Sequence, residues 1–297
     1  MFSRSSLLHL RIPFSFFLLP IYFFALTVSP NFNGSRLLWV FLIVHFLLYP
    51  ASNGYNSYFD KDEKSIGGLK NPPPTSKGLY HLALLLDLAA IVFGYLQINL
   101  TFAIMLLIYG LVSKAYSHPS VRLKKRPFIS LIITGLFQGF FTFIMIYVGV
   151  NDYEIENAMR LNIIIPAFLA SLMLWANYPM TQIYQHEEDS KRGDITASIK
   201  FGIKGTFYFA AIVFGLALTA FLFYFRIYLS TKHALLFIAA VLPILIYFFY
   251  WFLLVINDKK NADYSHTMAL NYISGTCLNA FFLYLFLDVS HVYQLAS

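Results

Sequence analysis

Ala234-Leu-Leu-Phe-Ile-Ala-Ala-Val-Leu-Pro-Ile-Leu-Ile-Tyr-Phe-Phe-Tyr-Trp-Phe-Leu-Leu-Val-Ile256 carries no charged residue from end to end. About 20 apolar residues are enough for a helix to cross the hydrocarbon core of a bilayer. Lipid offers the backbone no hydrogen-bond partners, so a run of this kind must satisfy its own peptide groups and reads as a spanning helix. Outward from it, eight more runs of comparable length and polarity lie at about 12–30, 36–56, 79–96, 98–116, 127–150, 161–184, 205–225 and 268–288. None shows the period-2 alternation of a membrane β-barrel. The fold class predicted is an all-α integral membrane protein, nine transmembrane helices forming a single domain over 1–297.

Composition agrees. Of 297 residues 59% are hydrophobic and only 12% charged, against about 25% charged in a soluble domain. That leaves too few charges to cover a water-facing surface, and it excludes a soluble enzyme, a nucleic-acid binder and a disordered chain. The net charge of +7 has a topological source. With the N-terminus inside, 17 of the 21 Lys and Arg residues fall on inner flanks; only Arg36, Arg160, Arg226 and Lys232 fall outside, as the positive-inside rule requires. The expectation is therefore an inner (cytoplasmic) membrane, with the N-terminus inside. Residues 1–30 read as a retained first helix rather than a cleaved leader, because Pro13 and Pro20 interrupt the run and no small-x-small site follows. The lone cysteine, Cys277, lies in an apolar run and supports no disulfide framework.

Polar residues collect in two inner loops, Asn56-Ser-Tyr-Phe-Asp60-Lys-Asp62-Glu63-Lys64 and Gln182-Ile-Tyr-Gln185-His-Glu187-Glu188-Asp189. Asp60 and Asp189 stand four helices apart, each at the inner end of its helix. At 100° per residue Asn56, Asp60 and Glu63 share one face, and Gln182, Gln185 and Asp189 share another. Carboxylate and amide oxygens suit a hard cation such as Mg²⁺, which binds one or two carboxylates and completes its shell with water and substrate phosphate. The loop between them carries Lys114, Arg122, Lys124, Lys125 and Arg126, and Lys191 follows the second cluster. Acids and bases on one side of a helical bundle suggest a metal-bridged diphosphate with cationic clamps, although the bases satisfy topology in any case. Asp87, in mid-span, reads as a structural hydrogen-bonding group, and His45 as an interhelical one.

Asn56-x-x-x-Asp60, running into Ser65-Ile-Gly67-Gly68-Leu-Lys70-Asn-Pro72-Pro73, resembles the first aspartate-rich motif of the UbiA superfamily of intramembrane prenyltransferases. The stretch Tyr178 to Thr196 resembles the second, and Arg122-Leu-Lys124-Lys125 the basic segment between them. The resemblance implies a helical bundle around a central cavity and Mg²⁺-dependent transfer of a polyprenyl group. The donor would be a polyprenyl diphosphate, the acceptor lipophilic and most commonly aromatic, as in quinone biosynthesis. Carried over, Asn56, Asp60 and Asp189 would serve metal and diphosphate, with Glu63, Gln185 and Glu188 as further candidates. Lys114, Arg122, Lys124, Lys125 and Lys191 are the diphosphate-binding bases expected. The chain departs from the family pattern at Lys64 and Gln185, where acids are usual; Glu63 and the Gln185 amide oxygen are the expected replacements. No catalytic nucleophile is expected. A non-catalytic prenyl-lipid-binding protein and a membrane transporter are the alternatives.

Overall fold

The computed structural model describes residues 3–290, almost wholly helical. Its spans are α1 (Arg4–Phe17 and Leu19–Thr27, bent by 43° between them), α2 (Gly34–Asp60), α3 (Lys77–Gln97) and α4 (Leu100–Ser117). They continue as α5 (Pro127–Asn151), α6 (Leu161–Lys191), α7 (Ala197–Tyr228), α8 (Thr231–Asn257) and α9 (Tyr264–Ser290). Among the described residues this makes nine spans when the bent pair counts as one. Successive helices pack as neighbours, and α9 returns against α1, so the bundle closes on itself.

The bundle has an aromatic centre. Phe24 of α1, Phe143 of α5, Phe221 and Phe225 of α7, Phe237 of α8 and Phe282 of α9 are all buried, with ring centroids 4.7–5.6 Å apart along the chain of contacts. Such edge and tilted pairs contribute about 0.5–1.5 kcal/mol each beyond the area they bury. The outward faces carry Leu96, Ile212, Ile227 and Leu253, each more than 60% exposed. A surface of this kind is stable only against lipid tails.

Regular α-helix gives way at defined places, and the residues explain where. Pro13 and Pro20 each start a helical segment of α1, the position at which a missing N–H costs nothing, and the bend falls between them. In α2 a π-helical turn, Ile43–Leu48, precedes Pro50, which cannot donate to the carbonyl four residues earlier. In α5 a second π turn spans Leu136–Phe141. There Ser171 of α6 accepts a hydrogen bond from the Phe140 N–H at 2.9 Å and donates to the Gly135 carbonyl at 2.9 Å, taking up groups the π turn releases. In α6 the α-helix ends at Asn177, 3₁₀ geometry runs over Tyr178–Gln185, and α-helix resumes at His186. In α7 the break falls at Gly202, whose φ of +70° only glycine adopts freely.

Two boundaries differ from the sequence reading. The first polar helix end stops at Asp60, because Lys61 turns left-handed (φ 51°) and caps it. The α-helical projection therefore does not extend to Glu63. The second motif is not a continuous α-helix but a 3₁₀ segment followed by a short α-turn.

At Gly139 the backbones of α5 and α6 approach closely: a Cβ there would lie 2.5 Å from Ser171 Cα. Backbone atoms cannot yield as a side chain can. Gly139→Val is expected to destabilise the bundle by about 1–3 kcal/mol, read as a lowered melting temperature in detergent. Gly34→Ala, with nothing within 4 Å, should leave it unchanged.

Candidate functional site

At one end of the bundle, α1, α2, α4, α5 and α6 enclose a polar cavity of about 210 Å³. Its walls combine residues from both polar loops: Asn56, Asp60 and Asp62 on one side, Gln182, Gln185 and Asp189 on the other. Arg11, Lys124 and Arg192 supply positive charge, and Tyr109, Tyr116, Phe137 and Tyr178 supply rings.

A lattice of ion pairs joins the loops. Arg122 donates to both carboxylate oxygens of Asp194 at 2.8 Å and to Asp60 Oδ1 at 3.3 Å. Lys124 Nζ lies 2.5 Å from Asp60 Oδ1 and 3.4 Å from Asp194 Oδ2. Arg192 pairs with Asp62, donates to Asp189 Oδ1 at 2.6 Å and to the Asp60 carbonyl at 3.4 Å. The ends of α2 and α6 are thus held together by three cations, two from the loop after α4 and one, Arg192, that directly follows α6. The backbone is strained around them: Arg11, Lys61 and Arg122 all have positive φ, 48°, 51° and 41°. Each such residue costs on the order of 1–3 kcal/mol, and strain of this kind collects at functional sites.

The charges are tuned by this setting. Burial, and then the neighbouring Asp60 carboxylate, push the Asp62 carboxyl above its ordinary range despite Arg192. Burial also opposes ionisation of Asp194, but the Arg122 hydrogen bonds and Lys124 outweigh it and hold that carboxyl below the ordinary value. The Asp194 bonds in turn hold the Arg122 guanidinium firmly protonated. Burial works against the charge of Arg192, and Asp62 and Asp60 restore it and more.

The predicted residues separate into two groups. Asn56, Asp60, Gln185, Asp189 and Lys124 line the cavity. Asn56 Nδ2 donates to Ser117 Oγ at 3.0 Å, which leaves its Oδ1 available to the cavity. Arg122 is buried behind the wall, binding Asp60 and Asp194 rather than facing the space. The remaining five do not reach it. Glu63 is exposed, since α2 has already ended, and its backbone N–H donates to Glu188 Oε2 at 3.4 Å. Glu188 serves that contact and lies 3.9 Å from Lys191. Lys191 pairs with Glu187 at 2.9 Å on the surface. Lys125 is exposed. Lys114 turns away to pair with Asp87 of α3 and sits 5.2 Å over the Tyr55 ring; Asp87, read as a hydrogen-bonding group, is the partner of an ion pair.

Asp62, Arg192 and Arg11 are the charged cavity residues that sequence reasoning did not assign. For Arg192 a signal existed: three residues from Asp189 returns to nearly the same helical face, while Lys191, two residues away, lands on the opposite one. For Arg11 there was none, because α1 meets the motif loops only in the tertiary fold. There its guanidinium donates to the Gly67 carbonyl at 3.2 Å and to Asn53 Oδ1 at 3.2 Å.

The donor set is all oxygen, which fits a hard divalent cation. Among the described residues no three carboxylate, imidazole or thiol groups stand close enough to form a complete metal cage. A cation here would rest on Asp60, Asp189 and the Asn56 amide oxygen, and would take its remaining ligands from water and a bound anion.

Comparison with known proteins agrees with this fold. A sequence model described as the UbiA prenyltransferase family matches residues 16–274. Among solved structures, a UbiA homolog from Archaeoglobus fulgidus bound to DMAPP and Mg²⁺ superposes with a TM-score of 0.69 at 18% identity, covering 97% of this chain and 99% of that one. The same homolog bound to GPP and Mg²⁺ gives 0.66 at 17% identity, with 97% and 99% covered. A digeranylgeranylglyceryl phosphate synthase gives 0.61 at 19% identity, with 97% and 98% covered. No match is found among curated protein sequences.

Asp194 tests the lattice apart from any ligand, since its side chain is fully buried and does not line the cavity. Asp194→Asn should destabilise the metal-free protein by about 1–3 kcal/mol, below the ~3–5 of a buried charge left alone, because Asp60 still faces Arg122 and Lys124. A carboxyl whose folded-state pKa is depressed stabilises above its unfolded pKa and ceases to as pH falls through the folded one. Melting curves should therefore show the gap between wild type and variant constant near neutral pH and closing in acid.

Proposed function

The chain belongs to the UbiA prenyltransferase family, and from that premise we propose that it transfers a polyprenyl group from a polyprenyl diphosphate to a lipophilic aromatic acceptor, in quinone-type biosynthesis, with release of pyrophosphate. The reading is carried by one observation: both aspartate-bearing helix ends and three cations meet in a single cavity at one end of a lipid-facing bundle. We infer that this end faces the cytoplasm, from the excess of Lys and Arg on its loops.

In this reading Asp60, Asp189, the Asn56 amide oxygen and Gln185 hold Mg²⁺ together with the diphosphate. When bound, Mg²⁺ supplies Lewis-acid neutralisation of the charge that develops on the leaving group. Lys124 and Arg192 neutralise Asp60, Asp62 and Asp189 in the free protein. Those short side-chain shifts that turn an ammonium or guanidinium from carboxylate to phosphate oxygen place the same cations on the donor, and Arg guanidinium matches phosphate geometry well. Arg11 also lines the cavity, with a buried Nε that has no partner. Arg122 keeps the wall in shape from behind.

The allylic C–O bond breaks with its electron pair leaving on pyrophosphate, and the prenyl carbon becomes cationic. Tyr109, Tyr116, Phe137 and Tyr178 give that cation aromatic faces, worth about 2 kcal/mol when desolvated. Walls of this composition also keep water away from the cation. The acceptor ring then forms the new C–C bond and loses a proton. Stabilising developing charge with fixed groups is the largest single contribution in such chemistry, and it requires no nucleophilic side chain.

Pyrophosphate release from geranyl, farnesyl and longer diphosphates, measured in nanodiscs with phenolic acceptors, tests the reading. Asp60→Asn and Asp189→Asn are each expected to lower Mg²⁺-dependent release by about 100- to 1,000-fold while the protein still folds. Lys125→Ala and Lys191→Ala, on the surface, should change it by no more than about twofold. A donor that binds wild-type protein but releases no pyrophosphate with any acceptor would leave a non-catalytic prenyl-lipid-binding protein in its place, and one that fails to bind would leave a transporter.

A further inference from the structure

The bundle holds two cavities, the polar one and an apolar one of about 230 Å³ between α1, α6, α7, α8 and α9. A third feature lies outside both. At the polar end, where the loop after α4 enters α5 and where α7 begins, Arg126, Lys200 and Lys204 are exposed and line neither cavity. Among the described residues none of these three side chains makes an ion pair or a hydrogen bond.

The positive-inside rule accounts for cations at this end but not for their lack of partners. Lys64 and Lys191 pair with Glu187, Lys114 with Asp87, and Arg122, Lys124 and Arg192 with buried acids. Lys259 and Lys260 lie between Asp258 and Asp263. By contrast, no acid occurs from Leu88 to Asn151 or from Ile195 to Asn257. Asp194, the acid nearest Lys200 in the sequence, is buried and committed to Arg122 and Lys124.

The two segments meet through aromatic rings. Phe128 of α5 lies 6.2 Å from Phe201 of α7, and Phe201 stacks on Phe209 at 4.7 Å. Arg126 stands two residues before Phe128, Lys200 one before Phe201 and Lys204 three after it, so all three cations attach within a turn of this contact. The break at Gly202 puts Lys200 in the first turn of α7 and Lys204 in the helix beyond. Beside them Phe128 and Ile195 are 53% and 52% exposed, and Ile129 and Ile132 continue the exposed face along α5. A soluble anion would meet the cations and leave this apolar face unused. A zwitterionic lipid would cover the face but bring a further cation to the cluster. A lipid whose head carries net negative charge answers both, with Lys and Arg stems lying on apolar surface while their charged ends reach the phosphate.

We propose that this sector binds an anionic phospholipid, its phosphate held by Arg126, Lys200 and Lys204 and its acyl chains lying along Phe128, Ile129 and Ile132. The site stands independently of the prenyltransfer reading. The same two segments carry Arg122, Lys124 and Asp194 inward, so a lipid spanning them braces the ion lattice from outside.

Photoactivatable phosphatidylglycerol and phosphatidylcholine with identical diazirine-bearing chains, each added in trace amount to phosphatidylcholine nanodiscs, test this. Phosphatidylglycerol is expected to label peptides of α5 and the start of α7 about tenfold more than phosphatidylcholine does. Each of Arg126→Gln, Lys200→Gln and Lys204→Gln should lower that preference by up to about fivefold, and the three together should abolish it. A control carrying Lys70→Gln, Lys259→Gln and Lys260→Gln loses the same charge from other loops of the same end, and should keep the preference within about twofold because salt screens separated surface charges. All six side chains are exposed, so both triple variants should melt with the wild type. Equal loss in the two triple variants would show attraction by the whole face and overturn the proposal. So would equal labelling by the two lipids, or phosphatidylglycerol label concentrated on other helices. Glycerol phosphate protecting as well as unlabelled phosphatidylglycerol would overturn it too, since the site would then belong to a soluble anion.

Discussion

Four carboxylates, Asp60, Asp62, Asp189 and Asp194, are buried at one end of a membrane bundle, and that constraint organises everything around them. An ionised group removed from water must be paired or it loses its charge. Arg122, Lys124 and Arg192 provide the pairing, and each contacts acids from more than one segment. The loop after α4 thereby fixes the end of α2 to the turn after α6. Apolar packing closes the bundle between α1 and α9, but only charge registers its polar end.

The same pairing explains how a cavity so rich in charge can be stable. Lining a pocket with acids alone would force them apart, and lining it with bases alone would do the same. With both present, each set neutralises the other. Interruptions of α-helix serve this end. Backbone that leaves the regular ladder is tolerated at membrane depth where protein or a cavity surrounds it. The π turns in α2 and α5 and the 3₁₀ segments in α1 and α6 meet that condition. Ser171 shows the local compensation at its simplest, one hydroxyl serving the Phe140 N–H and the Gly135 carbonyl.

The division into two cavities follows from where α6 runs. With polar walls toward α2 and apolar walls toward α8, it separates a polar space from an apolar one. One helix with two unlike faces thus borders both cavities.

Spans, helical class and two of the three acids that line the polar cavity were legible in the sequence, because hydrophobicity accumulates over some 20 residues and survives errors of phase. Asp60 and Asp189 were legible for the same reason, as acids at the ends of long apolar runs. Phase itself was not. Asp62 rather than Glu63 enters the cavity because Lys61 turns left-handed and ends the helix. Arg192 rather than Lys191, and Lys124 rather than Lys125, turn inward because a side chain's direction changes by about 100° with each helical residue. Arg11 and the second cavity were invisible altogether. Composition and motif determine what a segment is, within the segment; which neighbour it faces is settled only when nine helices close a ring and buried charges must find partners.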